Sequence, residues 1–551
     1  MSSRAQPPQT ALSPLASSGF LARLRRGGFQ STALYRFTLR GSTPKGVKFS
    51  VPELWPGDPQ AGRALLSGAF RFEDEVHTLS ADGHMHQNAS SHWQAWFHGH
   101  SWLKDIRALG GNEANSFVRE HMSAWIDTHT DWSPIAWRAD VVATRLIQWC
   151  QHWSVLAGDP HDALHTHLRQ IAGRDARHLM RSTPPKQAGY RRLLAIKGQV
   201  FAAFALLGGD GRMSRALRLL EDEINAQVLP DGGHIERSPE RLSDVLRDLL
   251  ELKALLHAAT GDVPRFVQNG IDRAAPMLRL LRYPDGGLAV FNGGLEGDPV
   301  WLDQLLAHTD SQAKAPVTAP HMGYQKLQAG DVCLMMDCQK PNPVGYLQHA
   351  GTSGFELSIA KLRLIVNCGA RKGLNDPWRT ALAATAAHSC LAVNDSSSST
   401  FHLDGTLKRG PKSIMCDRQD IDQGAFVETA HDGYLDTFGL THQRAIFIAA
   451  HGTDVRGEDR LIGTGGDYFT LRFHLHPDVK ASLLGDGQGV MLRLADDNVW
   501  RLRTSAQDVK LESSVYAGTL GAQRRSEQIV LTGPLSGNGA LIKWAITREG
   551  I

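Results

Sequence analysis

The sequence predicts a multidomain chain in which helices packed on helices are followed by an antiparallel β-sandwich. Three observations carry that prediction. The chain has 551 residues, more than one ordinary domain holds. From about Trp93 to Leu306 apolar residues recur at helical spacing, and beyond Pro316 they recur every second residue. A hydrophobic content of 42% with 21% charged residues is that of a globular protein with a sizeable core.

The first 50 residues carry eight Lys or Arg and no Asp or Glu. With Pro7, Pro8 and several serines, residues 1–55 read as a basic, partly disordered arm. The Arg23, Arg25, Arg26 cluster is not followed by the apolar core or cleavage site of a conventional signal peptide. No apolar run is long enough to span a bilayer.

Residues 56–315 read as helical. Val142, Leu146, Trp149 and Trp153 stripe one helix face, and Leu242, Val245, Leu246, Leu249, Leu250 and Leu256 stripe another. Between them, "MSRALRLLEDEINAQVLPDGG" is stopped by Pro230 and Gly232–Gly233. Ser238 followed by Pro239 fits a helix cap and first turn. The polar, proline-bearing stretch "HTDSQAKAPVTAP" marks a boundary.

Residues 320–551 read as strands. "YFTLRFHLH" alternates Phe469, Leu471, Phe473 and Leu475 against Thr470, Arg472, His474 and His476, the pattern of a half-buried strand. "LLGDGQGVMLRL" has an Asp486-Gly487 hairpin signal. Many such strands separated by turns form a sandwich. The six cysteines show no zinc-finger spacing and read as buried free thiols.

A net charge of +3 does not mark a nucleic-acid binder and tolerates an acidic ligand. Three regions offer chemistry. His234 and Glu236 stand two apart at a helix entrance. Residues 346–389 gather His349, Asn367, Trp378, Arg379 and His388 around a strand pair, where imidazoles serve either the core or a site. Arg472, His474 and His476 share one strand face, either a solvated side or a cationic surface for an anion.

Taken in order, "LPDGGHIERSP", "YPDGGLAVFNGG", "HAGTSGFEL", "NCG", "WRTALAATAAHS", "HDGY", "RGEDRL" and "RFHLHP" resemble the heparinase II/III family of polysaccharide lyases from about residue 90 onward. The resemblance implies an α/α toroid ahead of the sandwich. It implies β-elimination next to a uronic acid in an acidic polysaccharide, in the cell envelope or periplasm, while the lack of a conventional signal peptide leaves a cytoplasmic location open. That reaction needs a group to neutralise the carboxylate, a base and a proton donor. The resemblance places His349 and His388 as base or charge-stabilising groups, Arg379 on the carboxylate, and Tyr190 and Tyr346 as proton donors. It adds His234, Glu236, Asn292, Arg472 and His474 as substrate contacts. No cofactor is required, and His349, Asn367 and His388 form a weak set for a divalent metal such as zinc, an amide being a poorer ligand than a carboxylate.

The pattern is broken at several points. Counting back from Phe355, the first His of the family's H-x-H segment falls at Leu347 and a following Asp at Gly351. The Tyr and His after the family's "E-x-S-P" fall at Arg241 and Leu242, and no Asn-His pair stands in "GYRRLLAIKGQVFAAFALLG". Two further readings follow: a polysaccharide-binding protein that has lost the chemistry, and a glycoside hydrolase, which needs a carboxylate opposite Glu236.

Overall fold

A computed structural model describes residues 28–79, 88–158, 161–373, 376–521 and 523–550. Residues 1–27 of the expected basic arm lie outside the described residues. The rest of that segment is docked. Thr32 caps the helix Ala33–Thr38, the Tyr35 hydroxyl bonds His178 Nδ1 at 2.7 Å, and Val51 joins the helical core. Apolar residues within the basic stretch thus extend the helical domain N-terminal to residue 56. A short hairpin, Ala69–Phe72 with Glu75–Thr78, precedes the helices from Ser91 onward.

The helices run as antiparallel neighbours around a toroid, including Gly111–His129, Ala139–Gln151, Ala163–Ser182, Tyr190–Phe204, Met213–Gln227, Pro239–Thr260 and Arg265–Leu280. The stripe beginning at Val142 is broken before Trp153. The helix ends at Gln151 and Trp153 opens a separate short one; the intervening His152 is buried with its Nδ1 3.2 Å from Arg107. Ser238 accepts the Arg241 N–H, with Pro239 in the first turn.

The sandwich pairs an eight-stranded with a nine-stranded antiparallel sheet. The nine-stranded sheet is covered on both faces. In the strand Val332–Asp337, Leu334 and Met336 enter the sandwich core while Cys333 and Met335 enter the toroid core. The strand Tyr468–Leu475 belongs to this sheet, so its polar side is not solvated, contrary to expectation: His474 is buried. Five cysteines are buried, but Cys416, on an edge strand, is exposed.

The domains are fastened together by buried polar contacts. Arg237, in a left-handed conformation, pairs with Asp337 and donates to Met322 O at 2.7 Å. Arg363 reaches Asp285 at 2.7 Å. Gln348 donates to Glu236 O at 2.6 Å.

Candidate functional site

A cleft of about 480 Å³ runs along the inner face of the toroid and ends against the sandwich segment carrying Tyr346, Leu347 and Arg379. Its floor comes from the helices Ala139–Gln151, Tyr190–Phe204 and Pro239–Thr260. Stacked aromatic pairs border it, Trp55 with Trp301 and Phe72 with Trp96. Aromatic faces beside charged groups suit a polar polymer with apolar ring faces.

Glu236 lies buried where the domains meet. It accepts the Tyr190 N–H at 2.6 Å, the free donor at a helix start. Gly189 and Gly345 make this possible: both have positive φ, and a Cβ on either would overlap the Glu236 carboxylate. Burial pushes its carboxyl upward. Tyr190 borders the cleft, but its hydroxyl donates to Asp248 and accepts from Arg247, both at 2.9 Å. Burial and the Asp248 charge hold the phenol well above its ordinary value, which opposes proton donation.

The other carboxylates bordering the cleft are in ion pairs: Glu53 with Arg107, Asp140 with Arg138, Asp244 with Arg241, and Asp248 and Glu251 with Lys197. A hydrolase pairing with Glu236 therefore finds no unengaged second carboxylate here among the described residues.

Among the described residues, two guanidiniums lack a carboxylate of their own at hydrogen-bonding distance. Arg191 lies over the Tyr346 ring at 4.7 Å, and its nearest carboxylate, Asp140 at 3.7 Å, is already held bidentately by Arg138. Arg379 donates to the carbonyls of Tyr346 at 2.8 Å, Leu403 at 3.1 Å and Asp404 at 3.3 Å. Burial lowers the Arg379 pKa first and the neighbouring Arg191 charge lowers it further. Two like charges flanking one tyrosine have the chemistry to suit a carboxylate or sulfate. Sequence reading found Arg379 and missed Arg191. The available signal was a pair of arginines and Lys197 on an otherwise apolar helix.

His349 and His388 come together, but away from the cleft. His349 Nδ1 is 3.1 Å from His388 Nε2, and His388 Nδ1 is 2.8 Å from Ala384 O. Burial and His388 hold His349 well below the usual histidine range, and burial lowers His388 to about 4, so both are neutral near pH 7. The side chains lining the cleft from this segment are Tyr346 and Leu347. Two imidazoles border the cleft among the described residues: His92 contacts Glu73, and His152 has its Nδ1 against Arg107 and its Nε2 3.6 Å from Glu53, with burial and the Arg107 charge lowering it to about 3.

The expected metal set does not fit a tightly held zinc ion. Asn367 spends its amide on the backbone, donating to Val290 O at 3.0 Å and accepting from Ser389 N at 3.3 Å. Only two imidazoles remain, already bonded to each other.

Other expected contacts prove to be internal. His234 is buried and bonds Gln227 at 2.8 Å. Asn292 is buried between the domains, donating to the Tyr324 hydroxyl at 2.9 Å and accepting the His349 N–H at 3.3 Å. His474 is bonded to Ser514 at 2.8 Å and Ala386 O at 2.9 Å. Arg472 faces Asp395 at 3.4 Å. None of these four lines the cleft; their polarity satisfies buried backbone and side chains.

A family model, "Heparinase II/III-like, C-terminal", matches residues 311–545. FtsZ-localized protein C of Caulobacter vibrioides is 30% identical over 547 residues, covering 93% of this chain and 92% of that protein. The chain belongs to the heparinase II/III-like family. Among solved structures, heparinase III is similar with a TM-score of 0.75 at 16% identity, over 96% of this chain and 91% of that one. Heparan sulfate lyase HepC from Pedobacter heparinus gives 0.58 at 15%, over 96% and 91%. At such identities the likeness is one of fold, a helical toroid followed by a sandwich. Within the heparinase II/III-like family, this chain keeps the architecture of a helical toroid followed by a sandwich.

Proposed function

We propose that this protein binds an acidic polysaccharide in the cleft between toroid and sandwich, and that binding rather than β-elimination is its activity. The observation that carries this reading is the Arg191–Arg379 pair around Tyr346. An acidic group placed between the guanidiniums relieves their repulsion, while a sugar ring lies along the aromatic faces. Elimination also needs a base beside the carboxylate. Leu347 supplies none, Tyr190 is held protonated, and His349 is bonded away from the cleft. A ligand of this kind would be met in the cell envelope.

Arg191→Met and Arg379→Met test the reading by titration with an acidic oligosaccharide. Each charge-assisted contact is worth about 1.5–3 kcal/mol, so each variant should weaken binding at least ~10-fold and flatten its salt dependence. Unchanged affinity in both variants would refute it.

A second reading rests on the whole-chain relationship to FtsZ-localized protein C. By that relative's name, this chain would localise with FtsZ, using the fold as an assembly scaffold. A fluorescent fusion that stays dispersed in dividing cells would dismiss it.

A further inference from the structure

The sandwich holds a pair of thiols that the cleft does not use. In the nine-stranded sheet Gln325 pairs with Met336, and the ladder continues one step further, Cys338 N donating to Gly323 O at 2.8 Å. Side chains alternate along a strand, so Met336 and Cys338 point to one face, and both belong to the sandwich core. Gln325, opposite Met336, points the same way.

In the eight-stranded sheet, Cys416 lies on the edge strand Ile414–Ile421 directly opposite Thr429, which is buried. Its sulfur therefore turns toward the space between the sheets, where the Gln325 amide donates to it at 3.7 Å. Gln325 thus reaches Cys416 from the position beside Cys338, and the two thiols are hydrogen-bonded to each other.

The two sulfurs are not equivalent. Cys338 is buried and Cys416 is exposed. The hydrogen bond from Cys338, whose alternative acceptor is Met336 O at 3.8 Å, pulls the Cys416 thiol below its ordinary value against the opposing effect of burial, and the Gln325 amide adds to this. The same bond, followed by burial, holds the Cys338 thiol well above its own. The thiolate is the nucleophile, so Cys416 is both reachable and the more readily ionised. An exposed, ionisable thiol beside a second thiol suits a peroxide-responsive cysteine and its resolving partner. The other cysteines lack this: Cys150, Cys368 and Cys390 are buried and pushed up to about 12, and burial raises Cys333.

We propose that Cys416 is a site of oxidation by hydrogen peroxide and that Cys338 resolves it into a disulfide joining the two sheets. The Cys416 thiolate attacks one peroxide oxygen and the O–O bond breaks. Sulfur gives up two electrons and becomes a sulfenic acid, and the released hydroxide leaves as water with the proton that Cys416 lost. The Cys338 sulfur then attacks the sulfenic sulfur. The S–S bond forms, the S–O bond breaks, and the departing hydroxide leaves as water with the Cys338 proton. In balance, two thiols and one hydrogen peroxide give one disulfide and two waters. The cross-link fixes the residue next to Asp337, which holds Arg237 of the toroid, so oxidation stiffens the sandwich where the domains are fastened.

The test treats the full-length protein with hydrogen peroxide near neutral pH, then unfolds it, alkylates it and maps its cysteines by mass spectrometry. The expected product is a peptide pair joined through Cys338 and Cys416 and released by dithiothreitol, with the other four cysteines alkylated. The melting temperature should rise by roughly 4–16 °C on oxidation and return on reduction. Cys416→Ser, at an exposed position, should abolish both the cross-link and the shift. Cys338→Ala should leave Cys416 as a sulfenic acid captured by dimedone. If that variant does not fold, early dimedone capture at Cys416 in the native protein, giving way to the disulfide with time, makes the same distinction. Oxidation of native Cys416 that runs on to sulfinic acid, a disulfide between other cysteines, or an unreactive Cys416 would overturn the inference.

Discussion

Replacing Asp459 with alanine should destabilise the sandwich more than any surface change. Asp459 lies in the strand Asp454–Gly463, fully buried. It accepts from His442 Nε2 at 2.8 Å, Arg444 Nε at 2.8 Å and Trp544 Nε1 at 2.9 Å. Burial alone would raise its carboxyl, but the Arg444 charge and then His442 outweigh it and hold it at about 2. Against an ordinary value of 3.8, that corresponds to roughly 2.5 kcal/mol. This stabilisation is present above pH 3.8 and is lost as the pH falls through 2. Removing the carboxylate leaves Arg444 buried with only the Ser353 and Ser389 carbonyls, each at 2.7 Å. Breaking a buried pair in this way costs about 3–5 kcal/mol, roughly 6–20 °C in melting temperature for a domain of this size. Differential scanning calorimetry at pH 7 reads the change. The double variant Asp459→Leu with Arg444→Met should recover part of the loss, since apolar replacement of a buried pair is often tolerated. An Asp459→Ala protein melting within 2 °C of the native one, on the same scale, would refute the reasoning.

Glu356 acts in the opposite sense. Buried and accepting the backbone N–H groups of Asn367 and Val290, it is raised by burial from 4.5 to about 7. The folded state therefore holds the proton more tightly, and stability falls by roughly 3 kcal/mol as the pH rises from 4.5 to 7. Urea denaturation should show the deficit of Glu356→Gln against the native protein narrowing across that window; a constant difference would contradict this. Zinc added in excess should leave the melting temperature unchanged, because the Asn367 amide is already used. Stabilisation of several degrees would show that the His349–His388 pair opens to bind metal.

Much of the architecture is legible in the sequence because it rests on periodicity. The Leu242–Leu256 stripe, the Ser238-Pro239 start and the Asp486-Gly487 hairpin each arise from local backbone preference, and the structure contains all three. What fails to show is which polar residues a second layer covers. Arg472 and His474 alternate with apolar residues as on a solvated strand, yet Asp395, Ala386 and Ser514 of the same domain lie against that face, which period two cannot reveal. Burial of His234 and Asn292 has the same origin. Tyr35 and Leu39 were hidden in a stretch dominated by arginine. The site was legible only in part. Arg379, Tyr346, Tyr190 and Glu236 do meet at one cleft, but Arg191 enters it from a helix whose sequence carries no motif. The His349–His388 pair was expected in the cleft but does not line it: Tyr346 and Leu347 take the cleft-facing positions, and His349 alone of the pair borders a neighbouring cavity.

The central claim is that the cleft holds an acidic polysaccharide without cleaving it. Titrating the purified protein with a uronic-acid polymer, while following in parallel the ultraviolet absorbance of the unsaturated product of elimination, tests this most directly. The account predicts saturable, salt-sensitive binding with absorbance that stays flat over many hours. A steady rise in absorbance that vanishes in the Arg379→Met variant would contradict it and make the protein a working lyase.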